Sequence, residues 1–292
     1  MHDLTLVVPA YNEALSLPDV VPTWLAFCRE HGCRLIIVND GSKDKTREVL
    51  ETYSGESALT VVHHKVNRGY GGALKTGLRT VQTTYAMTID ADGQHRLEDV
   101  IKLYRVFQEK DADMIVGRRP ESGSDWYRSL GKSLIRGFAR LLMPLPIHDI
   151  NSGMKVYRTE LVQPYLDLCP DNMAFSDIIT LIFLNNRHLV VEEPIEINPR
   201  TAGVSTINTR TAVDTVEEIL HIAILFHPMR IFMPIAIFFL AFGLIWGAPF
   251  MLRGQGVSVG AMLLLVSGLL FMGLGLLAEQ LAEIRRQMEM RK

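Results

Sequence analysis

The first two-thirds of the chain alternate short apolar runs with segments of helical periodicity. Strands are predicted at Leu4–Val8, Arg34–Val38, Leu59–His63, Tyr85–Ile89 and Asp113–Val116. Helical patterns near residues 18–31, 44–53, 71–82 and 97–109 separate them. Such βαβα alternation predicts an α/β domain with a mainly parallel sheet covered by helices on both faces. Ligands of an open sheet gather at the carboxyl ends of its strands. The polar clusters Tyr11-Asn12-Glu13, Asn39-Asp40-Gly41-Ser42 and Asp90-Ala91-Asp92 fall there, so one functional edge is expected. The apolar run at Leu4–Val8 is closed by Pro9, Asn12 and Glu13, which reads as a strand and not a signal peptide.

The pattern then changes. Residues 231–252 and 257–278 are two uncharged, mostly apolar stretches, each longer than the roughly 20 residues that a helix needs to cross a bilayer. Only Arg253-Gly254-Gln255-Gly256 joins them, which predicts a transmembrane hairpin. Arg285, Arg286, Arg291 and Lys292 follow it, and His227 and Arg230 precede it. The positive-inside rule then expects both termini, with the α/β domain, in the cytoplasm. The division expected is an α/β domain over residues 1–208, an interfacial amphipathic helix over 209–230, and the two spans with a tail over 231–292. In Thr211–Phe226, Val213, Val216, Ile219 and Leu220 alternate with Asp214, Glu217 and Glu218. In Trp126–Leu142, Arg128, Lys132, Arg136 and Arg140 recur every fourth residue beside Leu130, Leu134, Phe138 and Leu141, as suits a membrane surface or a lipid phosphate, or else a solvated helix face.

Charge and cysteine usage narrow the classes. A net charge of -2 over 292 residues gives no field that favours nucleic acid. Cys28, Cys33 and Cys169 form no CxxC pair and suit free thiols better than a disulfide framework or a zinc site.

Asp90 and Asp92 stand on alternate residues at a strand end, with the Gln94 amide close behind. Two carboxylates and an amide oxygen suit a hard divalent ion with positions open for diphosphate oxygens. Asp40 offers a carboxylate to a base or ribose, or simply serves its turn, and Asp44 is placed to cap the next helix. The run Asn67-Arg68-Gly69-Tyr70-Gly71-Gly72-Ala73 looks like a phosphate-cradling loop before a helix. It lacks the Walker ending and the Rossmann spacing, so neither an ATPase nor a dehydrogenase is supported.

In this order, Val8-Pro9-Ala10-Tyr11-Asn12-Glu13, Val38-Asn39-Asp40-Gly41-Ser42, Asn67–Ala73 and Asp90-Ala91-Asp92-Gly93-Gln94-His95 resemble the successive motifs of family 2 glycosyltransferases of the GT-A fold. The likeness is greatest to the polyprenyl-phosphate glycosyltransferase and dolichyl-phosphate mannose synthase branch. Asp149–Lys155 resembles that branch's Asp-x-x-Ser-Gly-Phe-Lys element, and Arg200–Ser205 its Arg-x-x-Gly-x-Ser element, although Thr206 stands where a Lys usually follows. The resemblance implies an inverting transferase that moves one sugar from a nucleotide-sugar to a polyprenyl phosphate at a bilayer, with Mg²⁺ or Mn²⁺ as cofactor and a homo-oligomer as a plausible state. It also implies roles. Pro9, Tyr11, Glu13, Asp40, Lys75, Asp90, Ala91 and Asp92 would bind the nucleotide-sugar, and Asp90, Asp92 and Gln94 the metal. Arg118, Arg128, Lys132, Arg200 and Ser205 would hold the acceptor phosphate. Asp92, with Asp149 and Asp177 on the acceptor side, are the catalytic candidates, a cap or structural pair being the other reading of the last two. Rival functions are a hydroxyl-directed transferase, a non-catalytic membrane adaptor, and a processive synthase. Against the last, none of Trp24, Trp126 or Trp246 lies in a Gln-x-x-Arg-Trp element.

Overall fold

The computed structural model describes residues 1–120, 147–198, 228–256 and 258–289. The basic segment Trp126–Leu142 with Arg128 and Lys132, the stretch Thr211–Phe226, and Arg200 and Ser205 lie outside the described residues. Two compact units are present, the first comprising the described residues up to 198 and the second those from 228 onward.

The first unit is a seven-stranded sheet with helices between its strands. In chain order it runs β1 (Leu4–Ala10), α1 (Leu17–His31), β2 (Arg34–Asn39), α2 (Thr46–Glu51), β3 (Leu59–His63), α3 (Tyr70–Thr80), β4 (Tyr85–Thr88), α4 (Leu97–Glu109) and β5 (Met114–Arg118). Then follow β6 (Lys155–Arg158), α5 (Thr159–Val162) leading into a 3-10 turn (Gln163–Leu168), α6 (Phe175–Asn185) and β7 (Val190–Pro194). The spatial order is β3-β2-β1-β4-β6-β5-β7. All pairings are parallel except those of β6, which lies antiparallel between β4 and β5. This is the mixed, mainly parallel sheet expected of the GT-A fold, with strand order turning back at the β1/β4 boundary.

The five strands expected from the apolar runs are all present, and β1 continues two residues further, through Pro9. Pro9 is tolerated in this central strand because of where β4 stops. The β1–β4 register ends at Val7↔Thr88, and the Val7 carbonyl accepts from Ile89. Residue 9 faces the same side as residue 7, so the missing Pro9 N–H points where no partner strand remains. Strands β6 and β7 were not expected. Behind the sheet Leu6, Val8, Leu35, Ile37, Met87, Ile115 and Val156 join Trp24, Leu25, Leu103 and Phe107 in one buried cluster. On the other side α3 approaches closely, since a Cβ on Gly77 would lie 2.4 Å from a Val7 methyl.

The second unit is a helical hairpin, α7 (Met229–Leu252) and α8 (Val259–Glu289). Both helices are long and apolar enough to cross a membrane, α8 over Val259–Ile284. Phe238, Leu244, Ile245, Trp246, Leu263, Leu270 and Leu277 are exposed on it, far more apolar surface than a soluble hairpin leaves open. The two helices meet through small residues: a Cβ on Gly268 would sit 2.6 Å from Leu240, and one on Gly275 2.8 Å from Phe232. Helices in lipid associate largely by such close van der Waals contact.

Candidate active site

The parallel strands β1, β2, β4 and β5 all end at one edge of the sheet, and the antiparallel β6 begins there. That topology collects Pro9, Tyr11, Glu13, Asp40, Asp90, Ala91, Asp92, Arg118, Arg119 and the Asp149–Met154 turn on a single side.

On the β1/β2 side the two expected polar turns are laced together. Asn12, at a φ of 56°, donates its N–H to the Ser42 hydroxyl, and its side-chain oxygen accepts from Lys43 N. The Glu13 N–H reaches the Thr46 hydroxyl, and the Glu13 carboxylate accepts from Ser16. Asp44 accepts from Ala14 N and from the N–H and hydroxyl of Thr46, a turn that leads into α2, whose N-cap position is Lys45 and not Asp44. Tyr11 stands 41% exposed at the mouth of this turn, free to stack on a ligand.

Asp40 is almost fully buried. Its carboxylate accepts from the backbone N–H of Arg68 at 2.9 Å and of Gly69 at 2.8 Å, and from the His64 ring at 2.6 Å. Three of its four or so acceptor positions are thereby filled from within. Asp40 clamps the start of the Gly-rich loop and keeps at most one position for a nucleoside.

The glycines of that loop answer a different need from the one expected. A Cβ on Gly69 would lie 2.4 Å from the Asp171 carbonyl, and one on Gly71 2.4 Å from that of Pro170. Gly72 N donates to the Asp171 carbonyl, and Lys75 pairs with the Asp171 carboxylate at 2.6 Å. The room left by the missing side chains is taken by the 170–172 backbone, so this loop docks chain against chain.

Asp90 is held by two side chains. The Tyr70 hydroxyl donates to Oδ1 at 3.0 Å, and the His95 ring donates from Nε2 to Oδ2 at 3.0 Å. Burial opposes the charge on Asp90. The His95 contact, the Tyr70 hydroxyl and the Arg119 cation outweigh it and hold the carboxyl below the usual range. Burial, then the Asp90 charge, pushes the Tyr70 phenol well above its own range, so it remains a donor. Asp92 Oδ1 accepts from Gln94 N, which closes the turn. The Asp149–Met154 turn runs directly over Asp90: a Cβ on Gly153 would lie 2.3 Å from Oδ2, so only glycine lets the turn approach the carboxylate this closely. Two carboxylates and an amide on one turn, with Asp90 kept ionised and its side chain 33% exposed, fit a hard divalent cation. Among the described residues no cluster of three or more His, Cys, Asp and Glu side chains forms a metal cage.

Of the two neighbouring arginines, Arg119 is the one tied to the site. It grips Asp149 through Nε at 2.8 Å and Nη2 at 2.9 Å, while its backbone N–H bonds the same carboxylate at 3.1 Å. Arg118, one of the expected phosphate ligands, is 43% exposed and lies 3.8 Å from Glu192. Glu192 Oε1 also accepts the N–H groups of His148 and Asp149, which fixes the turn that carries Asp149. Asp149 is depressed below the ordinary carboxylate range, its Arg119 pair overcoming the cost of burial. As a structural pair it is a weak base. Asp177 is buried in the first turn of α6, where its charge favours the ammonium of Lys155. Lys155 is itself fully buried and donates to the carbonyls of Ile150, at 2.7 Å, and Ser176. Arg119, Tyr70, His95 and Lys155 were not singled out from the sequence. The Arg118-Arg119 doublet at the end of β5 was the available signal, and it does not say which arginine turns inward.

The comparisons with known proteins agree with this architecture. Residues 5–166 match the model of glycosyl transferase family 2, and residues 227–284 match the GtrB C-terminal hairpin. The chain is 28% identical over 228 residues to the polyprenol monophosphomannose synthase of Mycolicibacterium smegmatis, covering 73% of this chain and 85% of that protein. It is 25% identical over 206 residues to the undecaprenyl-phosphate 4-deoxy-4-formamido-L-arabinose transferase of Edwardsiella ictaluri, covering 69% of this chain and 62% of that one. A solved structure of glucosyl-3-phosphoglycerate synthase from Mycobacterium tuberculosis, in complex with Mn²⁺, uridine-diphosphate-glucose and phosphoglyceric acid, superposes with a TM-score of 0.58 at 15% identity. That match covers 75% of this chain and 79% of the other, a likeness of fold. With a family model matched over more than half its length and the corresponding motifs gathered at one sheet edge, the chain belongs to glycosyl transferase family 2.

Proposed function

We propose that this glycosyltransferase moves one sugar from a nucleotide-sugar to a polyprenyl phosphate at the cytoplasmic face of a membrane, anchored there by the α7–α8 hairpin. The relatives named for such transfers and the matched hairpin support the acceptor class. The observation that carries the reading is the Asp90–Gln94 turn at the β1/β4 boundary, with Arg119, just after the end of β5 on the far side of β6, acting on Asp90.

In this reading the residues of the β1 and β2 turns seat the nucleoside, with Asp40 contributing chiefly by fixing the 68–69 backbone. Asp90, Asp92 and Gln94 hold Mg²⁺ or Mn²⁺. A divalent cation there supplies charge compensation to the departing diphosphate. A phosphate monoester, with a second pKa near 6, is already an anionic nucleophile at neutral pH, so demand for a general base is small. The depressed Asp149 suits that chemistry, since its work is to orient Arg119 as a fixed cation beside the reacting phosphates. A hydroxyl acceptor would need a base here, and Asp149, engaged by Arg119, is poorly suited to act as one.

The test is transfer by membranes containing the chain, supplied with a panel of labelled nucleotide-sugars with and without undecaprenyl phosphate. Label should enter the lipid fraction only with that acceptor and should stop on adding EDTA. Asp92→Asn should lower turnover by about two orders of magnitude or more, the scale of losing a charge-stabilising group in a transition state. Transfer that is indifferent to EDTA, or that ignores polyprenyl phosphate in favour of a hydroxyl, would overturn the reading.

A further inference from the structure

One residue of the Gly-rich loop has a place that neither a phosphate cradle nor the close approach of the 170–172 backbone accounts for. Tyr70 is the first residue of α3, directly after Gly69. Its hydroxyl crosses to the end of β4 and donates to Asp90 Oδ1 at 3.0 Å. The backbone immediately before it, Arg68 and Gly69, is the part clamped by Asp40 and His64. Two sets of hydrogen bonds, joined by the covalent chain at residues 69–70, thus connect the β2 turn to a carboxylate of the cation turn.

The geometry at Asp90 gives this connection a use. A carboxylate on a turn rotates about its last bond unless both oxygens are held. Here His95 holds one oxygen and Tyr70 the other, at equal lengths and from different elements. Each oxygen accepts one such bond and keeps a further lone pair. A ring with no hydroxyl at position 70 would fill the same space and leave Oδ1 without its side-chain donor.

We propose that Tyr70 is a positioning residue for the cation site: its hydroxyl fixes the Asp90 carboxylate in the orientation that takes a divalent ion, and it links that orientation to the seating of the loop on Asp40. The proposal rests on the reading of Asp90, Asp92 and Gln94 as the cation site. Loss of an outer partner of a ligating group commonly costs ten- to a hundredfold in metal affinity.

The test is Tyr70→Phe in the full-length protein in detergent, with Mn²⁺ as the probe. Free Mn²⁺ is followed by electron paramagnetic resonance without substrates, and the Mn²⁺ dependence of transfer is measured separately. Binding should weaken about ten- to a hundredfold, and the Mn²⁺ concentration for half-maximal transfer should rise by a similar factor. Turnover at saturating Mn²⁺ should stay within about threefold of the parent, and the thermal midpoint should move by only a few degrees. A merely structural tyrosine would instead lower the midpoint and leave the Mn²⁺ requirement unchanged. Equal Mn²⁺ affinity in parent and variant overturns the role of Tyr70 while leaving the cation site intact. A parent protein that neither binds Mn²⁺ nor depends on it overturns the cation site, and this proposal with it.

Discussion

Lys155 offers a measurement of how much burial costs the catalytic domain. It lies in β6 between Thr88 and Val116, without exposure, and donates to the carbonyls of Ile150 and Ser176. Burial, partly offset by Asp177 and Asp149, pushes its amine down to about 7 from an ordinary value of 10.5. The sign of the linkage follows. Below pH 7 the group is protonated both folded and unfolded, so its cost to the fold is full and constant. Between about pH 7 and 10.5 the unfolded chain keeps a proton that the folded chain has released, and stability rises with pH. One proton corresponds to about 1.4 kcal/mol per pH unit, so this group contributes up to about 2.7 kcal/mol between pH 7 and pH 9. The assay is urea unfolding of the full chain in detergent, followed by Trp24, which is buried in the core, in a Trp126→Phe, Trp246→Phe background. The parent should gain stability across that window more steeply than Lys155→Met. At pH 9 the variant should be the weaker, because two buried carbonyls lose their donor at about 1–3 kcal/mol each. Taking the difference between the two proteins cancels the Cys28–Cys33 thiol pair, which titrates identically in both. Parallel curves would refute the assignment of a depressed, buried amine at position 155.

Two further outcomes test the site and the anchor. Arg119→Ala should lower kcat about ten- to a hundredfold while the KM for donor stays within about threefold, and Arg118→Ala should do far less; steady-state kinetics with a short prenyl phosphate decide, and equal effects would refute the distinction. A tag within Arg253–Gly256 should be reached by an impermeant reagent only from the side opposite the cytoplasm, and a reporter at residue 292 only from the cytoplasm; the reverse pattern would refute the proposed orientation.

The parts of the fold that were legible in the sequence are those whose signal is local. Strands β1 to β5 are apolar runs bounded by turn residues, and the two spans are longer than any ordinary core helix. Strands β6 and β7 escaped because Lys155 and Arg158 bracket one, and Glu192 and Glu193 sit inside the other. Their charges are stabilised by partners about 20 to 45 residues away in sequence, such as Ser176 and Asp177 for Lys155 and His148 and Asp149 for Glu192, which no periodicity can show. The Asp90–Gln94 turn was readable because its donors are consecutive. The choice between Arg118 and Arg119 was not, because it depends on which side of β5 meets the turn from residue 149. The glycines at 69, 71 and 72 suggested a ligand cradle because the sequence records only the absence of side chains, not whether backbone or phosphate fills the space.

The insertion of β6 between β4 and β5 also shapes the birth of the domain. A chain emerging residue by residue presents β4 and β5 long before the strand that joins them. Neither can complete its pairing until residue 158 is available, and β5 gains its outer neighbour only at residue 194. Until then the open backbone of β4 and β5 is a template for incorrect pairing with other chains. The catalytic half should therefore fold late and in one step, close to the moment when the first long apolar helix leaves the ribosome. Holdase chaperones acting on the nascent chain should matter most within that window, before β6 and β7 close the sheet.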